Sequence, residues 1–140
     1  MYNKKYEERL LLWSEFRTSL EDSESPFSDV VDFYSTAPVT RYTVDPWGQS
    51  TWPDPWQLLQ ENLYCEFSIV LGMCFSLQLT DRFSGSDFEI HISTNNKKAK
   101  TYYLLFVDDV CVNYKDGNIS KENLPGALYS QSIYSMPVLQ

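Results

Sequence analysis

The stretch that decides the fold is Asp54-Pro55-Trp56-Gln57-Leu58-Leu59-Gln60-Glu61-Asn62-Leu63-Tyr64-Cys65-Glu66-Phe67, continuing through Val70-Leu71-Gly72-Met73-Cys74-Phe75 to Leu79. Asp54 can accept from the free N–H groups of a first helical turn, and Pro55 suits the first helical position. Gln57 stands where a capping box closes. Beyond that start, Trp56, Leu59, Leu63, Phe67, Val70, Leu71, Cys74 and Phe75 recur at helical steps. Ile69, Met73 and Leu77 fall off the stripe, so the second half is apolar nearly all round. The pattern predicts a central helix over 54–80, about 37 Å long, packed on more than one side. Only a break at Asn62 would interrupt it.

Upstream, residues 1–34 read as two helices. Tyr6, Leu10, Trp13, Phe16 (with Arg17 beside it) and Leu20 line one face of a helix from about Asn3 to Asp22. Asp22-Ser-Glu-Ser-Pro26 ends it, and Pro26 opens a shorter helix with Phe27, Val30, Val31 and Tyr34 on one face. Residues 35–53 are irregular, with Pro38, Pro46, Gly48 and Pro53 among Tyr42, Trp47 and Trp52. A loop of that length in a small domain tends to cover the core or to carry function. Its aromatics fit either lids or protein-interaction anchors, and Tyr42, Trp47 and Trp52 are the candidate contact residues.

Downstream the period changes from helical to alternating. Phe88, Ile90 and Ile92 alternate with Glu89, His91 and Ser93, as in a half-buried strand. Asn95-Asn96-Lys97-Lys98 turns the chain. Tyr102–Val107 is nearly continuous apolar sequence, Asp108-Asp109 breaks it, and Val110–Tyr114 returns before Lys115-Asp116-Gly117. Residues 87–114 therefore predict an antiparallel meander. The tail, 118–140, is rich in Ser, Asn, Pro and Gly with scattered apolar residues, and reads as an extended segment packed along the domain or held for a partner. The expected fold class is a single α+β domain, with two or three helices on a three-stranded or slightly larger antiparallel sheet.

Charge narrows the function classes. Nineteen acidic against eleven basic residues give a net charge of −8, which repels a phosphate backbone and argues against nucleic acid as a partner. Lys97, Lys98 and Lys100 form the one dense basic run, at a predicted hairpin tip. The acidity alone admits a reading as an acidic inhibitor of a basic host protein. Three cysteines without C-x-x-C spacing read as free thiols in a reducing compartment, and the start of the chain has no signal-like apolar region. The longest apolar run, Phe67–Leu77, is too short to cross a bilayer, so no membrane association is expected. A chain made and kept inside a cell is the expectation.

The sequence holds no glycine-rich phosphate loop, no G-x-S-x-G and no H-E-x-x-H, and its single histidine speaks against a zinc site. No cofactor or metal is expected. One constellation retains chemical content: Cys65, His91 and Asp108, a thiol with an imidazole and a carboxylate to orient it, with Asn113 competing for the third place. The order cysteine on helix, histidine on strand, acid on strand resembles the transglutaminase-like fold over residues 54–114. That resemblance implies a cysteine-dependent hydrolase or acyltransferase. In such proteins the cysteine opens its helix, whereas an unbroken 54–80 helix places Cys65 well inside.

A second resemblance covers more of the chain. Leu12-Trp13-Ser14-Glu15-Phe16, Ser25-Pro26-Phe27-Ser28-Asp29-Val30, Ala37-Pro38, Asp45-Pro46-Trp47, Thr51-Trp52-Pro53-Asp54-Pro55-Trp56-Gln57-Leu58-Leu59, Glu61–Phe67, Leu77–Phe83 and the strand pair through Asp108 and Tyr114, together most of residues 12–114, resemble segments of a small uncharacterised protein family of tailed, contractile-tail bacteriophages. The resemblance implies a phage product in the virion or in the cytoplasm of the infected cell. Its partners would be other phage structural proteins or a host protein. It implies either a minor virion component or a small factor acting in the infected cell. The aromatic loop, the acidic charge and the lack of a convincing catalytic set favour a non-enzymatic structural or interaction role in the particle or its assembly.

Overall fold

The computed structural model describes residues 1–115 and 117–139. Asp116, in the predicted turn after Tyr114, and Gln140, at the end of the predicted tail, lie outside the described residues. Within them the chain runs α1 (Tyr6–Asp22), α2 (Pro26–Tyr34), a 3₁₀ turn (Gln49–Thr51), α3 (Pro55–Glu61) and α4 (Glu66–Gln78). The strands follow: β1 (Phe88–Asn95), β2 (Lys100–Val107), β3 (Val110–Tyr114) and β4 (Gly117–Ser120). A second 3₁₀ turn (Lys121–Asn123) precedes β5 (Leu128–Ser135). The α+β class and the antiparallel sheet are as expected. The described residues form four helices and five strands, because the central helix is broken and the tail supplies two strands.

The 54–80 helix divides at Asn62. The capping box forms, with Asp54 Oδ1 accepting from Gln57 N–H at 2.8 Å and Gln57 Oε1 from Asp54 N–H at 3.0 Å. Asn62 then enters the left-handed region, φ 53° and ψ 35°, the conformation that ends many helices. The break exposes carbonyls at the end of α3, and buried Arg9 of α1 fills that need. Its Nε and Nη2 donate to Leu59 O at 3.2 and 3.1 Å, and Nη2 also reaches Gln60 O at 3.1 Å. The break shifts the helical phase, so Trp56 and Leu63, expected on the buried stripe, are 45% and 53% exposed.

α4 is buried on nearly every side, as its all-round apolarity predicts. It packs between α2 and the sheet, and Gly72 lets Tyr34 lie flat against it. A Cβ at Gly72 would stand 2.6 Å from the Tyr34 ring. Ser76 ties the helices together, accepting from Trp13 Nε1 at 2.9 Å and lying 3.1 Å from the Tyr34 hydroxyl.

The sheet order is β4-β3-β2-β1-β5, all antiparallel. Phe88, Ile90, Leu105, Val107 and Val112 face the helices. Leu104, Phe106 and Cys111 face the other way, packed by Ile119, Leu124 and Leu128. Because β4 and β5 lie at opposite edges, the link between them must cross the sheet. It does so on the face without helices, so this short domain buries both faces of its sheet.

Candidate functional site

Residues 35–53 are held in place rather than loose. Val39 bridges Tyr64 in parallel, and Thr40 N–H donates to Tyr64 O at 2.8 Å. Asp45 organises the following turn: its Oδ1 accepts from Trp47 N–H at 3.0 Å, and its carbonyl accepts from Trp52 Nε1 at 2.8 Å. Ala37 and Val44 anchor the segment by burial. A cleft of about 540 Å³ opens between it and the domain, lined by Val39, Thr40, Arg41, Tyr42, Cys65 and Tyr103 among others. A second, of about 480 Å³, adjoins it across Tyr42 and Tyr103 and reaches Trp47.

The three aromatics proposed as contacts divide in two. Tyr42 is 85% exposed and Trp47 is 56% exposed. Trp52 instead packs on Phe67 and Tyr134, with both ring centroids at 4.9 Å. Trp52 is therefore a lid over the core edge, while Tyr42 and Trp47 present their rings to solvent. The sequence gives all three the same local setting of prolines and polar residues, so only the packing separates them.

Cys65 is where the fold departs most from expectation. Because the helix breaks at Asn62, Cys65 is the N-cap of α4 instead of an interior residue. Ser68 Oγ accepts from Cys65 N–H at 2.8 Å, closing a reciprocal cap in which the sulfur faces the Ser68 N–H. Burial alone would raise this thiol. Hydrogen bonds from Thr43 and from Ser68 outweigh burial and bring it down to about 7. Burial alone acts on Cys74, and in Cys111 it outweighs backbone hydrogen bonds from Asn113 and Tyr114; both thiols are pushed up, Cys111 to about 11. Thr43, Arg41 and Tyr103 were not singled out from the sequence. Nothing local marks Thr43, which stands twenty-two residues from the thiol it contacts.

The Cys65–His91–Asp108 triad is not assembled. Cys65 lies on the helix side of the sheet, lining the cleft with Tyr103. His91 lies on the opposite face, its ring 4.2 Å from Phe106. Alternation along β1 dictates this, since the flanking Ile90 and Ile92 take the helix side. The imidazole bonds instead to Ser130 Oγ at 2.7 Å through Nδ1 and to Glu89 Oε1 at 3.1 Å through Nε2. Asp108 sits in the β2–β3 turn at φ 53° and accepts from Asp87 N–H at 2.9 Å. Asn113, the competing third member, is spent on β2, accepting from Leu105 N–H and donating to Tyr103 O. Glu89, His91 and Ser130 form a hydrogen-bonded chain that ties the edge strand β5 to β1, and the two clefts lie on the other side.

Among the described residues, no group of three or more His, Cys, Asp or Glu is placed to hold a metal ion, and no helix is long and apolar enough to cross a membrane. No protein-family model matches the chain, and searches of curated proteins and of solved structures find no significant match.

Proposed function

We propose that this chain is a protein-interaction component encoded by a tailed phage, serving in the particle or its assembly, and that it engages its partner through the Tyr42–Trp47 cleft. One observation carries the reading: two large aromatics are exposed on a segment whose backbone is fixed by the Tyr64 bridge and the Asp45 turn. Rigid exposed aromatics lose little entropy on docking and are the residues most often found as interface anchors. The neighbouring cleft gives a partner side chain somewhere to enter. The phage assignment rests on the resemblance noted over most of residues 12–114.

The test is recovery of the chain from purified virions and from infected cells, with bound partners identified by mass spectrometry. Tyr42→Ala with Trp47→Ala is expected to weaken incorporation or partner capture by about 30-fold or more, equivalent to roughly 2 kcal/mol at an anchor. The melting temperature should stay unchanged. Trp52→Ala is expected to lower the melting temperature. Undiminished incorporation of the double variant would remove the cleft from the interaction.

A further inference from the structure

The two edges of the sheet are treated differently. β4 is four residues long and lies against α2, with Asn118 Nδ2 3.3 Å from Ser28 Oγ. β5 is eight residues long and, among the described residues, pairs in the sheet with β1 alone. Proteins usually guard a strand edge of that length with charge, proline or brevity. β5 has none of these three; its one guarding feature is a bulge at Gln131, which leaves Ser132–Ser135 regular. The last charged residue in the chain is Glu122, so every residue from Asn123 onward is uncharged in a protein of net charge −8.

The direction of the backbone bonds identifies the open positions. Met136 N–H points inward, donating to Phe88 O at 2.8 Å. Strand periodicity then turns the N–H and C=O of Tyr134 and Ser132 toward β1, and those of Ile133 and Ser135 outward. A register shift against β1 at Ile92/Ser93 leaves Gln131 as the extra residue between Ser130 and Ser132, and limits the regular open edge to Ser132–Ser135. Ile133 lies opposite His91, on the sheet face away from the helices, and is 55% exposed. The Glu89–His91–Ser130 chain holds this edge in shape.

We infer that β5 pairs antiparallel with β5 of a second copy of this chain, about a two-fold axis through Ile133, to join two five-stranded sheets into one. The occupant follows from charge. Two copies of an acidic protein repel except where they present a neutral surface, and this edge lies in the chain's long uncharged segment. It follows also from symmetry. A two-fold perpendicular to the sheet keeps each face on its own side, so Ile133 meets its own copy and Ser132 meets Tyr134, with faces matched. The outward N–H and C=O of Ile133 then form a hydrogen-bonded pair with those of the other copy. The strand contact is short, so the dimer is weak.

Sedimentation velocity of the full chain across 1–300 μM is expected to show a monomer–dimer equilibrium. Ile133→Lys and Ile133→Glu, both tolerable at so exposed a position, are each expected to weaken it at least tenfold while leaving the circular-dichroism melt unchanged. Mixed together, the two variants should dimerise again, because the axis sets position 133 against itself. A monomer throughout the range overturns the proposal. So does a dimer indifferent to Ile133, which would place the interface elsewhere, and so does failure of the mixture to restore association, which would place the axis elsewhere.

Discussion

Cys65 should titrate like no other thiol in the chain. The perturbation is pH, varied from 5 to 9.5 on the native protein, and the reagent is dithiodipyridine at low excess. Reaction is followed by the absorbance of the released thiopyridone and located by peptide mass spectrometry. With its thiol at about 7, Cys65 is about half thiolate at pH 7. An ordinary thiol near 8.5 is roughly 3% thiolate there, a ratio of about fifteen. Lower basicity also lowers intrinsic nucleophilicity, by roughly fivefold for a shift of this size. At equal access the net advantage at neutral pH is therefore only about threefold over an ordinary thiol, and the burial of Cys65 lowers its rate further, so rate alone is a poor readout. The inflection is the informative quantity: it should fall near 7 for Cys65. All three thiols are buried, Cys65 at 3% exposed and Cys74 and Cys111 at 0%. Cys65 lines the cleft, through which a small reagent can reach it, whereas Cys74 and Cys111, pushed upward, should stay unreactive until the chain unfolds. Thr43→Val removes a hydrogen bond to the sulfur and should move the inflection upward. An inflection at or above about 8.5 would refute the argument that the α4 cap and Thr43 stabilise the thiolate. Silence of Cys65 until unfolding would show instead that the cleft does not open on the sulfur.

Two further outcomes follow from packing and from the back of the sheet. Gly72→Ala should destabilise the fold by about 1–3 kcal/mol in urea denaturation, because the new methyl meets the Tyr34 ring that Trp13 and Ser76 hold in place; Tyr34→Leu should relieve part of that loss. His91 is lowered first by burial and further by Lys121, while Glu89 opposes both. A depressed histidine contributes stability that is complete above its unfolded value of about 6.5 and is lost as pH falls through the folded one. The wild-type melting temperature should accordingly fall relative to that of His91→Gln between pH 7 and 5, and parallel curves would refute the assignment.

What the sequence disclosed and what it withheld can be traced to single residues. The Asp54–Gln57 cap, the α2 start at Pro26 and the β3 limits were legible because each rests on neighbours in the chain. The break at Asn62 was signalled by the residue type, asparagine being second to glycine at such positions. The apolar stripe through Leu63 and Phe67 overrode that signal. The break is met by distant partners: Arg9, fifty residues upstream, satisfies the Leu59 carbonyl, and Asn62 Nδ2 donates to Tyr2 O, and no local pattern reports either. β5 was hidden for a different reason. Its extra residue reverses the alternation midway, so Leu128 and Ser130 share a face with Ile133 instead of with Ser132, and a period-two pattern cannot survive that shift. The candidate site inherits both failures. An unbroken helix would have placed Cys65 in mid-helix, and the break makes it a buried capping thiol that lines a cleft. The same strand alternation that was read correctly in β1 is what sends His91 to the far face of the sheet. The break gives Cys65 its chemistry, while the triad fails for an independent reason: alternation along β1 sets the imidazole on the face of the sheet opposite the thiol.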